Sequence, residues 1–136
     1  MNCYVDSSVL LRYLLAGDQN FRRIDEFTKA GSSELLHIEC SRVIHRYRIE
    51  GMITDKQLEE AMMHFNEIYE AFSIFAISTK VKQRSAGSFP TAIGALDAIH
   101  LATAALWAEQ EEEPMVIFTF DDQMKTCAHS MGIHTV

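Results

Sequence analysis

Four acidic residues stand beside apolar segments, where a fold can bring them together at one place. Asp6 follows the apolar run NCYV, Glu39 follows ELLHI and Asp121 follows VIFTF, while Asp97 lies near the start of ALDAIHLATAALWAEQ. Hard cations such as Mg²⁺ and Mn²⁺ prefer carboxylate oxygens as ligands, and four unpaired carboxylates at one place repel one another without a cation. The four acids are therefore candidate ligands of a divalent metal ion.

The pattern of apolar residues predicts strands that alternate with helices. Short apolar runs indicate strands, and repeats at helical spacing that end at a glycine indicate helices. The predicted elements are, in order, a strand at 2–6, a helix ending at Gly17, a helix over about 20–30 closed by Gly31, the strand ELLHI, a helix from Glu39 to about Glu50, a helix from Thr54 to about Phe72, the strand SIFAI, a basic helix over 79–88, a loop over 87–94, a buried central helix over 95–110, the strand MVIFTF, the helix DDQMKTCAHSMG and the strand IHTV.

This alternation is typical of an α/β fold. We expect one domain over residues 1–136, with three layers (α/β/α) and a mostly parallel central sheet. In such sheets, ligands bind beyond the carboxyl ends of the strands. Asp6, Glu39 and Asp121 should therefore emerge at one edge of the sheet, and Asp97 should join them from the first turn of the central helix.

Each acid also has an explanation that involves no chemistry. Asp6 and Asp121 stand where an aspartate often caps a helix, and Glu39 and Asp97 lie in predicted first turns, where the helix dipole favours an acid. The coincidence favours a functional site, because separate segments present an acid toward one edge while other acids gather in exposed runs such as residues 109–113.

Composition limits the classes of function. The formal net charge of -7 argues against non-specific binding of nucleic acid, which depends on lysine and arginine. Widely spaced Cys3, Cys40 and Cys127 disfavour a zinc site, and the absence of a long apolar run or a signal-peptide pattern leads us to expect a cytoplasmic protein. Binding of nucleic acid would require that basic residues gather on one side, and the candidates are Arg12, Arg22, Arg23, Arg42, Arg46, Arg48, Lys80, Lys82 and Arg84.

Four segments, in this order and spacing, resemble the signature blocks of PIN domains, and specifically those of VapC-like toxins from toxin–antitoxin pairs. They are YVDSSVLLRYLL, HIECSRVIHR, LDAIHLATA and FTFDDQMKTCAHSMGI, which together span nearly the whole chain. The resemblance implies a Mg²⁺- or Mn²⁺-dependent endoribonuclease that hydrolyses RNA, forms a homodimer and is inhibited by an antitoxin protein. It matches Asp6, Glu39, Asp97 and Asp121 to the family's four acids.

The same resemblance assigns residues around these acids. Ser7 or Ser8, together with Thr119, matches the small hydroxyl residues that flank the family's metal site. Asp122 is a rival to Asp121 as the fourth acid, and we prefer Asp121 because Thr119 stands two residues before it, as in the family pattern.

Two further residues have open interpretations. Arg42, at i+3 from Glu39, either orients that carboxylate, contacts RNA or forms an ordinary surface pair. His100 lies one helical turn from Asp97, but a histidine on an apolar helix is more often a satisfied core residue than a metal ligand. We therefore favour the core role over the metal-ligand role for His100.

Other functions also use aspartates at strand ends. A receiver domain needs a lysine after its last strand, where this chain reads HTV, and an aspartyl phosphatase needs a second aspartate where Ser8 stands. A catalytically silent PIN-like module that binds RNA or a protein partner stays open as the alternative, although the presence of all four acids disfavours it.

Overall fold

A computed structural model describes residues 1–136 and contains one five-stranded sheet flanked by helices. The strands are β1 (Asn2–Val5), β2 (Lys29–Ser33), β3 (Ser73–Phe75), β4 (Met115–Phe118) and β5 (His134–Thr135). The helices are α1 (Ser7–Ala16), α2 (Leu35–Ile49), α3 (Asp55–Ala71), α4 (Thr79–Ser85), α5 (Ala95–Glu111) and α6 (Asp122–Ser130), and a 3-10 helix covers Gln19–Glu26. The strand order is β3-β2-β1-β4-β5, and every neighbouring pair is parallel.

Alternate residues of the central strands pack on opposite faces of this sheet. Cys3, Val5 and Phe118 belong to a core shared with helices α1, α2 and α3. Tyr4 and Ile117 belong to a second core shared with α5 and α6. The period of two along each strand thus produces the predicted three-layer α/β/α fold.

The second strand is not where the sequence predicts it. ELLHI forms the start of α2, and the strand is the preceding segment KAGSS, so the predictions of a strand at ELLHI and of a helix closed by Gly31 are wrong. Leu36, Cys40 and Ile44 are buried on one helical stripe, which explains why the apolar run joins the helix. Glu39 therefore lies within α2 and does not follow a strand.

Gly31 in β2 lies where there is no space for a side chain. A Cβ atom built on Gly31 would lie 2.5 Å from the carbonyl oxygen of Ser73 in β3 and 3.0 Å from the ring of Trp107. The neighbouring strand and the large indole of α5 leave no space for a side chain here. A strand of small residues gives no apolar pattern in the sequence. Its contacts in the fold are with residues that are distant in the chain, so local sequence does not indicate the strand.

The remaining predicted elements are confirmed with shifted ends. Thr54 forms a capping box with Gln57 at the start of α3, and Gly17 ends α1 with a φ of 68°. Trp107 is buried in α5, and all three cysteines are free and buried. No helix combines the length and the apolar character that a membrane span requires.

A buried tyrosine joins three elements behind the carboxyl edge of the sheet. The Tyr4 hydroxyl accepts a hydrogen bond from the backbone N–H of Ser33 at 3.1 Å and lies 2.6 Å from Nδ1 of His100 in α5. Burial raises the pKa of the Tyr4 phenol far above its usual value, so the hydroxyl keeps its proton. When His100 is neutral, its Nδ1 accepts a hydrogen bond from the Tyr4 hydroxyl and its Nε2 carries the ring proton.

These hydrogen bonds predict how removal of the Tyr4 hydroxyl affects stability. Tyr4→Phe leaves the Ser33 N–H and His100 Nδ1 without their buried partner, which should lower the free energy of unfolding by about 1–3 kcal/mol. Tyr13→Phe is the matched control, because its hydroxyl only receives a 3.5 Å contact from exposed Arg22. Urea denaturation of both variants tests this, and equal losses of stability would contradict it.

Candidate functional site

Asp6 lies at the carboxyl end of the central strand β1, and the residue is only 5% exposed. Its Oδ2 accepts hydrogen bonds from the hydroxyls of Ser8 at 2.7 Å and Thr119 at 2.8 Å. Asp6 occupies the N-cap position of α1, yet its side chain makes no capping hydrogen bond. The helix-cap explanation therefore does not account for this buried carboxylate.

The two hydroxyls also organise the loop that leads into α6. Ser8 Oγ accepts from the backbone N–H of Phe120 at 3.0 Å, and Thr119 Oγ1 accepts from the N–H of Asp121 at 3.0 Å. Each hydroxyl thus accepts from the loop while it donates to Asp6. The segment after β4 is consequently held against the start of α1.

Asp121 does act as a helix cap. Its Oδ1 accepts from the backbone N–H of Met124 at 2.8 Å at the start of α6. One carboxylate oxygen satisfies a helix donor, and this bond leaves Oδ2 free. The capping role and a role in the acidic cluster are therefore compatible in this residue.

Glu39 reaches the same edge from the second turn of α2. Its Oε1 accepts a hydrogen bond of 2.5 Å from Nε2 of His100, a nitrogen that also lies 4.0 Å from Oδ1 of Asp6. Burial alone lowers the pKa of His100, but the hydrogen bond to Glu39 and the charges of Glu39, Asp6 and Asp97 raise it overall. In either protonation state the Nε2–H can donate to Glu39 and fix its carboxylate.

Asp97 completes the group from the first turn of α5. Partial burial and the nearby negative charges of Asp121, Asp6 and Glu39 raise its pKa to about 6, against the opposing effect of His100. The three other acids, each from a different element, are therefore close enough to act electrostatically on the Asp97 carboxyl. Like charges at short range disfavour full ionisation of the group unless a cation is present.

The donor chemistry of this cluster fits a hard divalent cation. As the side chains stand, no three residues of the types His, Cys, Asp and Glu converge on a point that could hold a metal ion. Mg²⁺ keeps several waters and is usually bound through one or two carboxylates plus substrate phosphates, so a closed cage of protein ligands is not required. The cluster offers carboxylate oxygens and a local excess of negative charge for such an ion.

The other residues singled out from the sequence lie around the cluster. Ser7 makes only a 3.5 Å contact with Asp6, Asp122 is exposed in the first turn of α6, and Arg42 is exposed and forms no ion pair with Glu39. His100 is completely buried and hydrogen-bonded at both nitrogens, as expected of a satisfied core residue. Sequence reasoning missed its contact with Glu39, for which the one-turn spacing from Asp97 is the only signal.

Comparisons with known proteins agree with this fold. Among curated proteins, no sequence matches the chain significantly. The crystal structure of VapBC2 from Rickettsia felis bound to a promoter DNA fragment has a TM-score of 0.69 at 11% identity and covers 100% of this chain and 98% of that chain. A toxin–antitoxin complex from Klebsiella pneumoniae has a TM-score of 0.61 at 18% identity, covering 90% of this chain and 89% of that chain. A protein from Pyrobaculum aerophilum has a TM-score of 0.60 at 17% identity, covering 100% and 92%.

These identities are low enough that the structural likeness concerns the fold alone. The family model described as PIN domain matches residues 3–129, which is most of the chain and includes all four acids of the cluster. The resemblance noted in the signature blocks is thereby confirmed at the level of the family, and this chain belongs to the PIN domain family.

Proposed function

We propose that this protein is a metal-dependent endoribonuclease that hydrolyses RNA phosphodiester bonds at the carboxylate cluster, and that it is the toxin of a toxin–antitoxin pair. The observation that carries this proposal is the buried Asp6 carboxylate, which caps no helix and lies at the sheet edge, where its charge acts on Asp97 together with those of Glu39 and Asp121. Membership of the PIN domain family supports nuclease chemistry. Two similar solved structures are toxin–antitoxin complexes, which supports the biological role.

In this proposal Asp6, Glu39, Asp97 and Asp121 hold Mg²⁺ or Mn²⁺. The bound ion would lower the pKa of a water nucleophile and shield the charge that develops on the phosphate. The protein's own contribution is orientation: Ser8 and Thr119 fix Asp6, and His100 fixes Glu39, as hydrogen bonds to ligands commonly do around metal sites. Asp97 or Asp121 is suited by its position to accept a proton through water.

The inhibiting partner in this proposal is an antitoxin protein. An acidic edge accommodates a guanidinium or ammonium group well, because arginine can bind two carboxylate oxygens at once. An antitoxin segment that inserts an arginine or lysine here would compete with the metal ion for the same charges. We further propose that the toxin acts as a homodimer in the cytoplasm.

Substitution of the central acids should abolish the reaction. Asp6→Asn and Asp97→Asn each remove a ligand charge at nearly constant size, so Mn²⁺-dependent RNA cleavage should fall by about a hundredfold or more. Asp25→Asn, an exposed acid on the 3-10 helix, is the control with the same change of charge. The assay uses purified protein on a panel of structured RNAs, in Mn²⁺ and in EDTA. Cleavage by both cluster variants at the wild-type rate would refute the site, and RNA binding without any cleavage by the wild type would favour the silent module.

The choice between Asp121 and Asp122 can be tested without losing the helix cap. Asparagine caps helices about as well as aspartate, so Asp121→Asn should melt no lower than the wild type and lose most of the Mn²⁺-dependent cleavage. Asp122→Asn should cleave normally, since its exposed side chain is not among the groups that raise the pKa of Asp97. Loss of cleavage in Asp122→Asn with normal cleavage in Asp121→Asn would reverse the assignment.

The crowding of like charges predicts a dependence of stability on pH in metal-free protein. The pKa of Asp97 is about 6 in the folded state against an ordinary value of 3.8, so folding stability is lost as pH rises through this window. Asp97→Asn should therefore melt higher than the wild type in EDTA at pH 7, and the difference should disappear below about pH 4. Mn²⁺ should stabilise the wild type, by about 2.7 kcal/mol at a hundredfold excess over Kd, and stabilise the variant less.

Thermal melts of wild type, Asp97→Asn and the control Asp25→Asn, each in EDTA and in Mn²⁺ across this pH range, provide the measurement. A variant that melts lower than the wild type in EDTA at pH 7, together with no Mn²⁺ effect on the wild type, would mean that Asp97 serves a structural role.

A further inference from the structure

A groove of about 310 Å³ lies between the first two helices, and two arginines line it from opposite sides. Arg12 belongs to α1 and Arg46 to α2. The rest of the lining is largely apolar, with one aromatic hydroxyl, and consists of Leu11, Leu15, Ala16, Val43 and Tyr47. Both arginines are exposed, so their charges are accessible from solvent at the mouth of the groove.

Neither guanidinium is neutralised by the protein. Arg12 and Arg46 form no ion pair and no side-chain hydrogen bond, although the chain has 19 acidic residues against 12 basic ones. Other basic side chains do have acidic partners, in the pairs Arg23 with Glu26, Lys29 with Glu111, Arg48 with Asp55 and Arg84 with Glu109. The groove therefore holds two free cations in a protein where acids are abundant.

The position of Arg12 is set by an aromatic ring next to the carboxylate cluster. Its Cζ lies 4.4 Å from the centroid of the Phe120 ring, a cation–π arrangement. The backbone N–H of Phe120 donates to Ser8, and Ser8 donates to Asp6. Arg12 lies one helical turn after Ser8, so the two residues share a face of α1. The contact with Phe120 therefore holds the Arg12 guanidinium close to the carboxylate cluster.

On α2, as on α1, a groove arginine follows an acid of the cluster along the chain. Arg46 follows Glu39 by about two helical turns, which places both residues on the same face of α2. Both α1 and α2 begin at the carboxyl edge of the sheet, where the acids lie. Along each helix, an acid of the cluster comes first and a free arginine facing the groove follows.

We infer that the groove between α1 and α2 carries the RNA strand beside the reacting phosphodiester, with Arg12 and Arg46 binding phosphates of neighbouring nucleotides. This inference rests on the proposed ribonuclease function. A guanidinium matches phosphate in shape and charge, and the contact with Phe120 reduces the rotamer freedom that Arg12 would lose on binding. The link from Arg12 through Phe120 and Ser8 to Asp6 favours an RNA strand over an acidic protein segment, since only the RNA has a phosphodiester to present at the cluster.

The test measures RNA binding without cleavage. A fluorescein-labelled oligouridylate is titrated in EDTA with wild-type protein and with Arg12→Gln, Arg46→Gln and the double variant, over a series of salt concentrations. Each single substitution should weaken binding by about threefold to tenfold, as expected for loss of one charged contact. The slope of log affinity against log salt should fall by about 0.7 for each arginine removed, the value for one phosphate contact to a single strand.

Arg48→Gln is the matched control. It removes the same charge from the same helix, but Arg48 pairs with Asp55 and does not line the groove. Thermal melting of all variants establishes that they are folded, and binding is compared only between variants with wild-type melting temperatures. The control should bind RNA with the wild-type salt slope.

The outcomes separate this inference from the proposed function. If Arg12→Gln and Arg46→Gln bind the RNA as tightly as Arg48→Gln, the groove is not the RNA path, even if the wild type cleaves RNA in Mn²⁺. If the two variants lose affinity and the wild type does not cleave, the groove is an RNA-binding surface and the nuclease proposal fails. Absence of RNA binding by the wild type at low salt, with tight binding of a labelled oligoglutamate peptide, would assign the groove to an acidic protein segment and overturn the inference.

Discussion

The parallel pairing of β1 with β4 is the constraint on which the candidate site depends. The register places Val5 beside Phe118, so the next residues, Asp6 and Thr119, leave the sheet side by side and their side chains form a 2.8 Å hydrogen bond. Both strands are buried, and a carboxylate at this depth would be costly without partners. Two hydroxyls provide these partners, and the same hydroxyls hold the loop that carries Asp121.

A second set of buried polar groups connects the two helical layers across the edge. His100 extends from α5 to Glu39 on α2, while Tyr4 of β1 holds the other side of its ring. A half-satisfied network in the core is unfavourable, whereas a fully bonded one restricts its members to a single arrangement. Glu39 is therefore oriented by a chain of contacts that ends in the backbone of β2, although Glu39 itself lies in the second turn of α2.

The sequence predicts most of the fold because most elements carry a local signal. MVIF is a continuous apolar run, and the segment from Ala95 onward is apolar nearly all round, so both elements are recognisable without tertiary information. KAGSS carries no such signal, and the glycine at its centre, Gly31, is required by Trp107 and β3, which are far away in the chain. The gathering of the acids was predictable from strand ends for Asp6 and Asp121, whereas Glu39 reaches the edge by a helix and a histidine contact that spacing alone does not indicate.

The net charge, like the strand KAGSS, shows that a property read from the sequence does not describe the local contacts in the fold. The net charge of -7 describes the whole chain, but the energy of a bound phosphate depends on which cations near it are free. Pairing with acids occupies Arg48 and Arg84 at the surface, and such exposed pairs contribute little to stability. Arg12 instead rests on an aromatic ring, which holds the guanidinium without neutralising it. A protein with an excess of acids can thus keep a small cationic surface beside an anionic cluster, because an aromatic contact positions an arginine while leaving its charge available.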